Sequence, residues 1–203
     1  MSSEMPTIFT IGHSNHAIGA FLALLSGHNI TAVADVRSHP YGRLEHFNRE
    51  YLSAELKAAG IEYLFLGEEL GARRQEQECY ENRMAPYEKI ARLPAFQDGL
   101  FLLRQHAETH RLAIMCAEKE PLDCHRTILI CRRLRDSGLG IKHILADGSL
   151  EDHASTEKRL VRKMGIQRTL FEPNLTNEEM IERAYDERSH EIAFRSDYEE
   201  TPL

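Results

Sequence analysis

The stretch CAEKEPLDCHR, residues 116–126, gathers two cysteines, carboxylates, a histidine and an arginine within eleven residues, directly after the apolar run LAIM. Four chemistries compete for it. A structural zinc site is weakly supported, because seven residues separate Cys116 from Cys124 and no second pair follows, so no metal set is assigned. Convergence of Cys116, Cys124, His125 and His13 on one point nevertheless stays open. A disulfide can bridge the loop sterically, but a reducing setting argues against a permanent one. A catalytic thiolate fits better: Cys124 precedes a predicted helix beside Arg126, and both the helix N-terminus and the guanidinium favour the anion. Cys116, at a predicted strand end, is the alternative nucleophile, with Glu118 and His125 as proton-transfer groups. In the plain structural alternative, Cys116 is a small buried hydrophobe and Glu118, Asp123 and Arg126 cap and pair.

Other polar groups fall at comparable places. Gly12-His13-Ser14 can form a tight turn into a helix, where free N–H groups receive a phosphate, or it can be a capped turn and nothing more. Asp35 and Arg37 flank the end of a β-rich run and offer an anion site or a structural ion pair. The segment HPYGRLEHFNRE adds Arg43, His46 and Phe47, a set able to grip a base and its phosphate, although on this segment alone a solvated loop is the better reading.

The elements that must position these groups are legible as alternating runs. TIFTI (7–11), TAVADV (31–36), IEYLFL (61–66), RLAIMCA (111–117) and IKHIL (141–145) are short and apolar, as doubly buried parallel strands should be. Between them lie helical patterns. Ile18, Phe21, Leu22 and Leu25 follow Ser14 or Asn15 as N-cap. Asn48 precedes a helix burying Leu52 and Leu56 that stops at Gly60. Pro86 and Pro94 suit first-turn positions. Ile128, Cys131 and Leu134 mark a helix closed by Gly138 and Gly140. The expectation is a three-layer α/β sandwich with a mostly parallel five-stranded sheet, Rossmann-like or flavodoxin-like, over residues 1–150. A helical, acidic extension follows over 151–203, with Leu160, Val161 and Met164 on one face, a capping box at Thr176 and Glu179, and a poorly ordered end. Ligands of such sheets bind beyond the carboxyl ends of the strands, so the polar groups should meet there.

Composition excludes some classes. The net charge of -7 lies in the tail, where ten acidic face three basic residues from Glu172 onward, leaving residues 1–171 balanced at 22 against 22. A broad cationic surface for nucleic acid is therefore absent from the body. No apolar run is long enough to span a bilayer and the start lacks a secretory pattern, so no membrane partner and a cytoplasmic setting are expected.

TIGHS, DVRSHP followed by Phe47, YLFLGEELG, CAEKEPLDCHR and HILADG stand in the order that the bacterial domain of unknown function four-eight-eight shows. The chain resembles that family over residues 7 to about 150. One departure is Gly42, where the resemblance leads us to expect a serine before Arg43, with the loss of a polar contact. The resemblance implies an α/β fold and a shared polar cleft; it supplies no reaction and no cofactor. The expected function is an enzyme acting on a nucleotide or nucleic-acid phosphate. Cys116, Glu118, Cys124 and His125 form its catalytic set, and Gly12, His13, Ser14, Asp35, Arg37, Arg43, Phe47 and Arg126 its ligand-binding set. The alternative is a non-catalytic nucleotide- or anion-binding sensor, or a DNA-repair adaptor recruited by a sliding clamp. That recruitment would use QRTLF (167–171), in which Gln167, Leu170 and Phe171 resemble a clamp-binding peptide; packing of the two apolar residues on the body is the other reading.

Overall fold

In the computed structural model, which describes residues 6–196, the five apolar runs become β1 Thr7–Gly12, β2 Ala32–Asp35, β3 Glu62–Phe65, β4 Leu112–Cys116 and β5 Gly140–Ile144, all parallel. A sixth strand, β6 Leu150–Asp152, corrects the expected five. It returns antiparallel on β5 through a turn in which Gly148 takes a φ of 85°, a left-handed value natural to glycine. The order is β3-β2-β4-β1-β5-β6. β4 thus lies in the middle, between the two strands whose ends carry Arg37 and His13.

Side-chain alternation divides the sheet into two apolar layers. Phe9, Ile11, Val33, Ala113 and Met115 pack with Phe21 and Leu25 of α1 (Ile18–Gly27) and Leu52 and Leu56 of α2 (Arg49–Ala58). Ile8, Ala34, Leu112, Ile114 and Cys116 face the other way. There they meet α3 (Gly67–Leu70), α4 (Tyr87–Ile90) and α5 (Pro94–Thr109), then a widened π-helical segment, Arg126–Cys131, that runs into α6 (Arg132–Leu134). Burying one such leucine or phenylalanine contributes about 1.5–3 kcal/mol. Parity along β4 therefore decides which layer receives the cysteine at its end.

Helix starts follow the sequence with two exceptions. Pro86 is the N-cap of α4 and Pro94 opens α5, as expected. α1 is capped by Ala17, and neither Ser14 nor Asn15 caps it; Ser14 instead takes a φ of 49° in the turn. Asn48 does precede α2, but its Oδ1 accepts from the Gly42 N–H at 2.9 Å and holds the preceding loop. α7 (His153–Lys163) and α8 (Asn177–Ile192), the latter with its Thr176–Glu179 capping box formed, place Leu160, Ala184 and Tyr185 in the same core as α5.

Part of the expected loose end is ordered. The N–H of Ala85 donates to Phe194 O at 3.0 Å and the N–H of Ser196 to Arg83 O at 2.7 Å. Residues 197–203 lie outside the described ones. Among the described residues, no helix is long and apolar enough to cross a membrane.

Candidate functional site

β4 ends at Cys116, and residues 117–125 form the loop that carries the chemistry. A short 3-10 turn, Pro121–Asp123, is closed by Glu120, whose carboxylate accepts from the Leu122 N–H. The loop lies directly on the end of β1. A Cβ at Gly12 would stand 1.9 Å from the Glu118 carbonyl oxygen, so only glycine permits the approach. The N–H groups of His13 and Ser14 donate to Cys116 O and Ala117 O, each at 2.9 Å. From below, Arg126 is fully buried and donates to Glu118 O at 2.6 Å and Lys119 O at 3.3 Å.

These contacts correct two expectations. The amides of the Gly12 turn are occupied by the loop and are not free for a phosphate. Arg126 is a strut inside the loop and does not face a ligand.

The loop brings the four expected catalytic residues together. Glu118 Oε2 lies 3.0 Å from Cys116 Sγ and 3.0 Å from Cys124 Sγ. His125 Nδ1 lies 3.6 Å from the first sulfur and 3.8 Å from the second. His125 Nε2 donates to Val36 O at 3.1 Å, which turns Nδ1 toward the sulfurs; burial opposes charging of the ring, but Cys124, Glu118 and the Val36 carbonyl raise its pKa overall. Burial opposes ionisation of Cys124, but the Cys116 thiol, Arg126 and His125 together bring its pKa well below the usual thiol value. Its hydrogen bond to Cys124, then burial, push Cys116 the other way. Burial and the Cys124 sulfur raise Glu118. The shifts favour Cys124 over Cys116 as the thiolate and move Glu118 toward its protonated form.

This cluster forms part of the floor of a cleft of about 370 Å³. Ser38, His39, Ala72, Arg73, Tyr87 and Phe194 supply much of its wall. Arg73 and Phe194 went unrecognised in the sequence. Arg73 is exposed, with its guanidinium 5.2 Å from the Phe194 ring centre. It stands two residues beyond Gly71, the end of the YLFLGEELG run, so a longer reading of that loop would have included it. Phe194 arrives from the tail, with no local signal.

The remaining expected ligand residues lie behind or beside the cleft. Arg37 touches it, but its guanidinium is held by Asp35 through Nε at 2.9 Å and Nη2 at 2.6 Å, by Phe47 O at 2.9 Å and by His13 Nε2 at 3.2 Å. Asp35 is fully buried and also accepts from the Tyr63 hydroxyl. The ion pair is structural. His13 stacks on Phe47 with ring centres 4.2 Å apart, and Phe47 is buried, so it offers no face to a base. Ser14 is half-buried in its turn, and Arg43 is exposed on its loop without lining the cleft. A second, more open hollow of about 240 Å³ beside α2 and β3 contains Arg49, Ser53 and Tyr63 but no thiol or histidine. Leu170 and Phe171 are each 96% exposed.

No curated protein and no solved structure matches the chain. The family model described as Domain of unknown function DUF488 matches residues 17–132, more than half of the 203, including α1, β2 to β4 and the whole cysteine loop. The chain belongs to the DUF488 family.

Proposed function

We propose that this protein is an enzyme acting on a phosphate-bearing small molecule or a nucleic-acid end, with Cys116, Glu118, Cys124 and His125 as its reaction centre. The observation that carries this reading is the crowding of two thiols and an imidazole around one carboxylate oxygen on a cleft floor, with sulfur–oxygen distances of 3.0 Å. Packing needs no such arrangement: four groups that compete for protons, side by side, suit proton transfer to a substrate. Arg73 and His39 at the wall are the free cationic or titratable groups that an anionic substrate would meet. All four cysteines are free thiols, which suits the reducing cytoplasm. The test is a panel of nucleotides and chromogenic phosphate esters, read by calorimetry and product release. The reading expects at least one to bind, to bind roughly tenfold more weakly in Arg73→Ala, and to lose turnover in Glu118→Gln. Turnover that survives Glu118→Gln and His125→Ala together, or no binding by any phosphate compound, overturns it.

A second reading concerns recruitment. The 96% exposure of Leu170 and Phe171 favours QRTLF as a peptide presented to a sliding clamp, with exposed Gln167 as its polar anchor. Binding of purified clamp at micromolar concentration, abolished by Leu170→Ala with Phe171→Ala, supports it; no binding by the parent overturns it.

A further inference from the structure

Three donors in the cluster are soft, and their mutual spacing has a chemical meaning. Cys116 Sγ, Cys124 Sγ and His125 Nδ1 all lie within 4.8 Å of one another, with sulfur–nitrogen separations of 3.6 and 3.8 Å. Around a tetrahedral zinc ion, with sulfur at about 2.3 Å and nitrogen at about 2.0–2.1 Å, the two ligand atoms stand about 3.6 Å apart. The two sulfur–nitrogen separations match the edges of such a tetrahedron.

The surroundings are those of a ligand set. His125 donates its Nε2–H to Val36 O at 3.1 Å, the outer hydrogen bond that fixes tautomer and ring orientation in metal-bound histidines. The backbone N–H of Arg126 points at Cys124 Sγ at 3.4 Å and tempers a thiolate's charge. Gly12 and Arg126 clamp the loop, so the donors are held before anything binds.

We propose that Cys116, Cys124 and His125 bind one thiophilic divalent cation, zinc in the first instance, leaving the fourth vertex toward the cleft. His13 is not the fourth ligand, because its Nδ1 contacts Ser14 O at 2.9 Å and its Nε2 contacts Arg37 Nη1 at 3.2 Å. Glu118 Oε2, at 3.0 Å from each sulfur, is closer than the about 3.6 Å a fourth vertex requires. It therefore stands beside the set and is not one of the ligands. Three protein ligands with one open position are the pattern of catalytic zinc, whereas structural zinc closes all four. On loading, the thiol proton of Cys116 leaves to solvent and both sulfurs become ligands. The use of the open vertex rests on the proposed reaction centre, but cation binding depends on the three donors alone.

The full chain, stripped with chelator, is titrated with Zn²⁺ against a chromophoric chelator and with Co²⁺ by absorption. One equivalent of Zn²⁺ is expected to bind more tightly than micromolar, and Co²⁺ to give thiolate charge-transfer and tetrahedral d–d bands. Cys116→Ser, Cys124→Ser and His125→Ala should each weaken binding roughly a hundredfold or more. His110→Ala, which disrupts the Glu62, His106 and His110 group elsewhere on the protein, should change neither readout. Circular dichroism establishes that the variants fold; should a cysteine variant unfold, the cobalt spectrum of the parent decides. An octahedral spectrum without charge transfer, no binding below micromolar, or binding lost in His110→Ala and kept in Cys124→Ser overturns the proposal. Zinc binding without any phosphate ligand sinks only the proposed substrate, while phosphate turnover in chelated protein leaves that reading standing and removes the metal from it.

Discussion

Two polar clusters sit on this sheet, built partly from the same residue types and used in opposite ways. At one, Thr10 contacts His143 Nδ1 at 2.8 Å, and His143 Nε2 contacts His153 Nδ1 at 3.0 Å. The Tyr185 hydroxyl then joins His153 Nε2 at 3.0 Å and Glu157 at 3.1 Å, and Glu157 pairs with Arg135 at 3.2 Å. This relay is buried, each bond has one donor and one acceptor, and it ties β1 and β5 to α7 and α8. At the cleft floor, two sulfurs share one carboxylate oxygen and one imidazole nitrogen, and the space above is open. Satisfied polar groups hold a fold; competing ones beside a cavity are available to something that binds there.

The largest effect should come from the residue that belongs to the cleft loop but behaves like the sealed cluster. Arg126→Met removes a fully buried charge and leaves Glu118 O and Lys119 O without their donor. We expect a loss of about 3–5 kcal/mol in chemical denaturation. A loss below about 1 kcal/mol would mean that the loop stands without its strut and that Arg126 is free for a ligand after all.

pH should divide the regions next. Burial, aided by Arg135, lowers His153 from 6.5 to about 4. A base whose folded pKa is depressed contributes stability that is complete above its unfolded value. As pH falls below 6.5 the unfolded chain takes the proton and the native chain does not, so stability drops until about pH 4. The full shift corresponds to roughly 3 kcal/mol. His13 is lowered to about 4 as well and adds to the same window. Unfolding curves of the parent should weaken across this range, and His153→Gln, less stable at neutral pH, should weaken less steeply. An unchanged slope assigns the effect elsewhere.

A paired comparison then tests the contrast directly. Tyr185→Phe leaves His153 and Glu157 short of a partner and should cost about 1–3 kcal/mol. Glu118→Gln keeps the shape of the floor, removes a carboxyl that burial already pushes toward its neutral form, and should change stability by less than about 1 kcal/mol. Equal costs would mean that the floor is as structural as the relay.

What the sequence made legible divides along the same line. The inner strands were readable because a strand covered on both faces is largely apolar, as LAIMC is, and the edge strand β3 was read from the longer run IEYLFL. LED in β6 is short and polar, and forms only because Gly148 turns it onto β5. The π-helical widening at residues 126–131 adds no sequence period distinct from an ordinary helix. The four floor residues stood out because such side chains rarely crowd one loop. The fate of Phe47 and Arg126 was not legible, since burial is decided by what packs over a residue: His13 for the ring, the folded loop for the guanidinium. Phe194 reaches the cleft only through the return of the tail onto residues 83–85, a contact more than 100 positions long.

The smallest effect should fall on residues 167–171. Leu170 and Phe171 are 96% exposed, the greatest exposure among the large hydrophobics described, although apolar side chains of this size ordinarily find cover. Around them the chain is fastened: Arg168 donates to Leu175 O at 2.7 Å and to Asn177 at 2.9 Å, and Arg183 pairs with Glu172 at 2.9 Å. The tip is thus carried between anchored flanks with its apolar pair outward. If the pair covers the body in solution, replacing both with alanine opens a cavity and lowers stability by about 2–5 kcal/mol. If it stands free as the structure has it, the double variant should unfold within about 0.5 kcal/mol of the parent. Denaturation of the two proteins side by side decides between a packing element and a presented peptide, and it does so without reference to any partner.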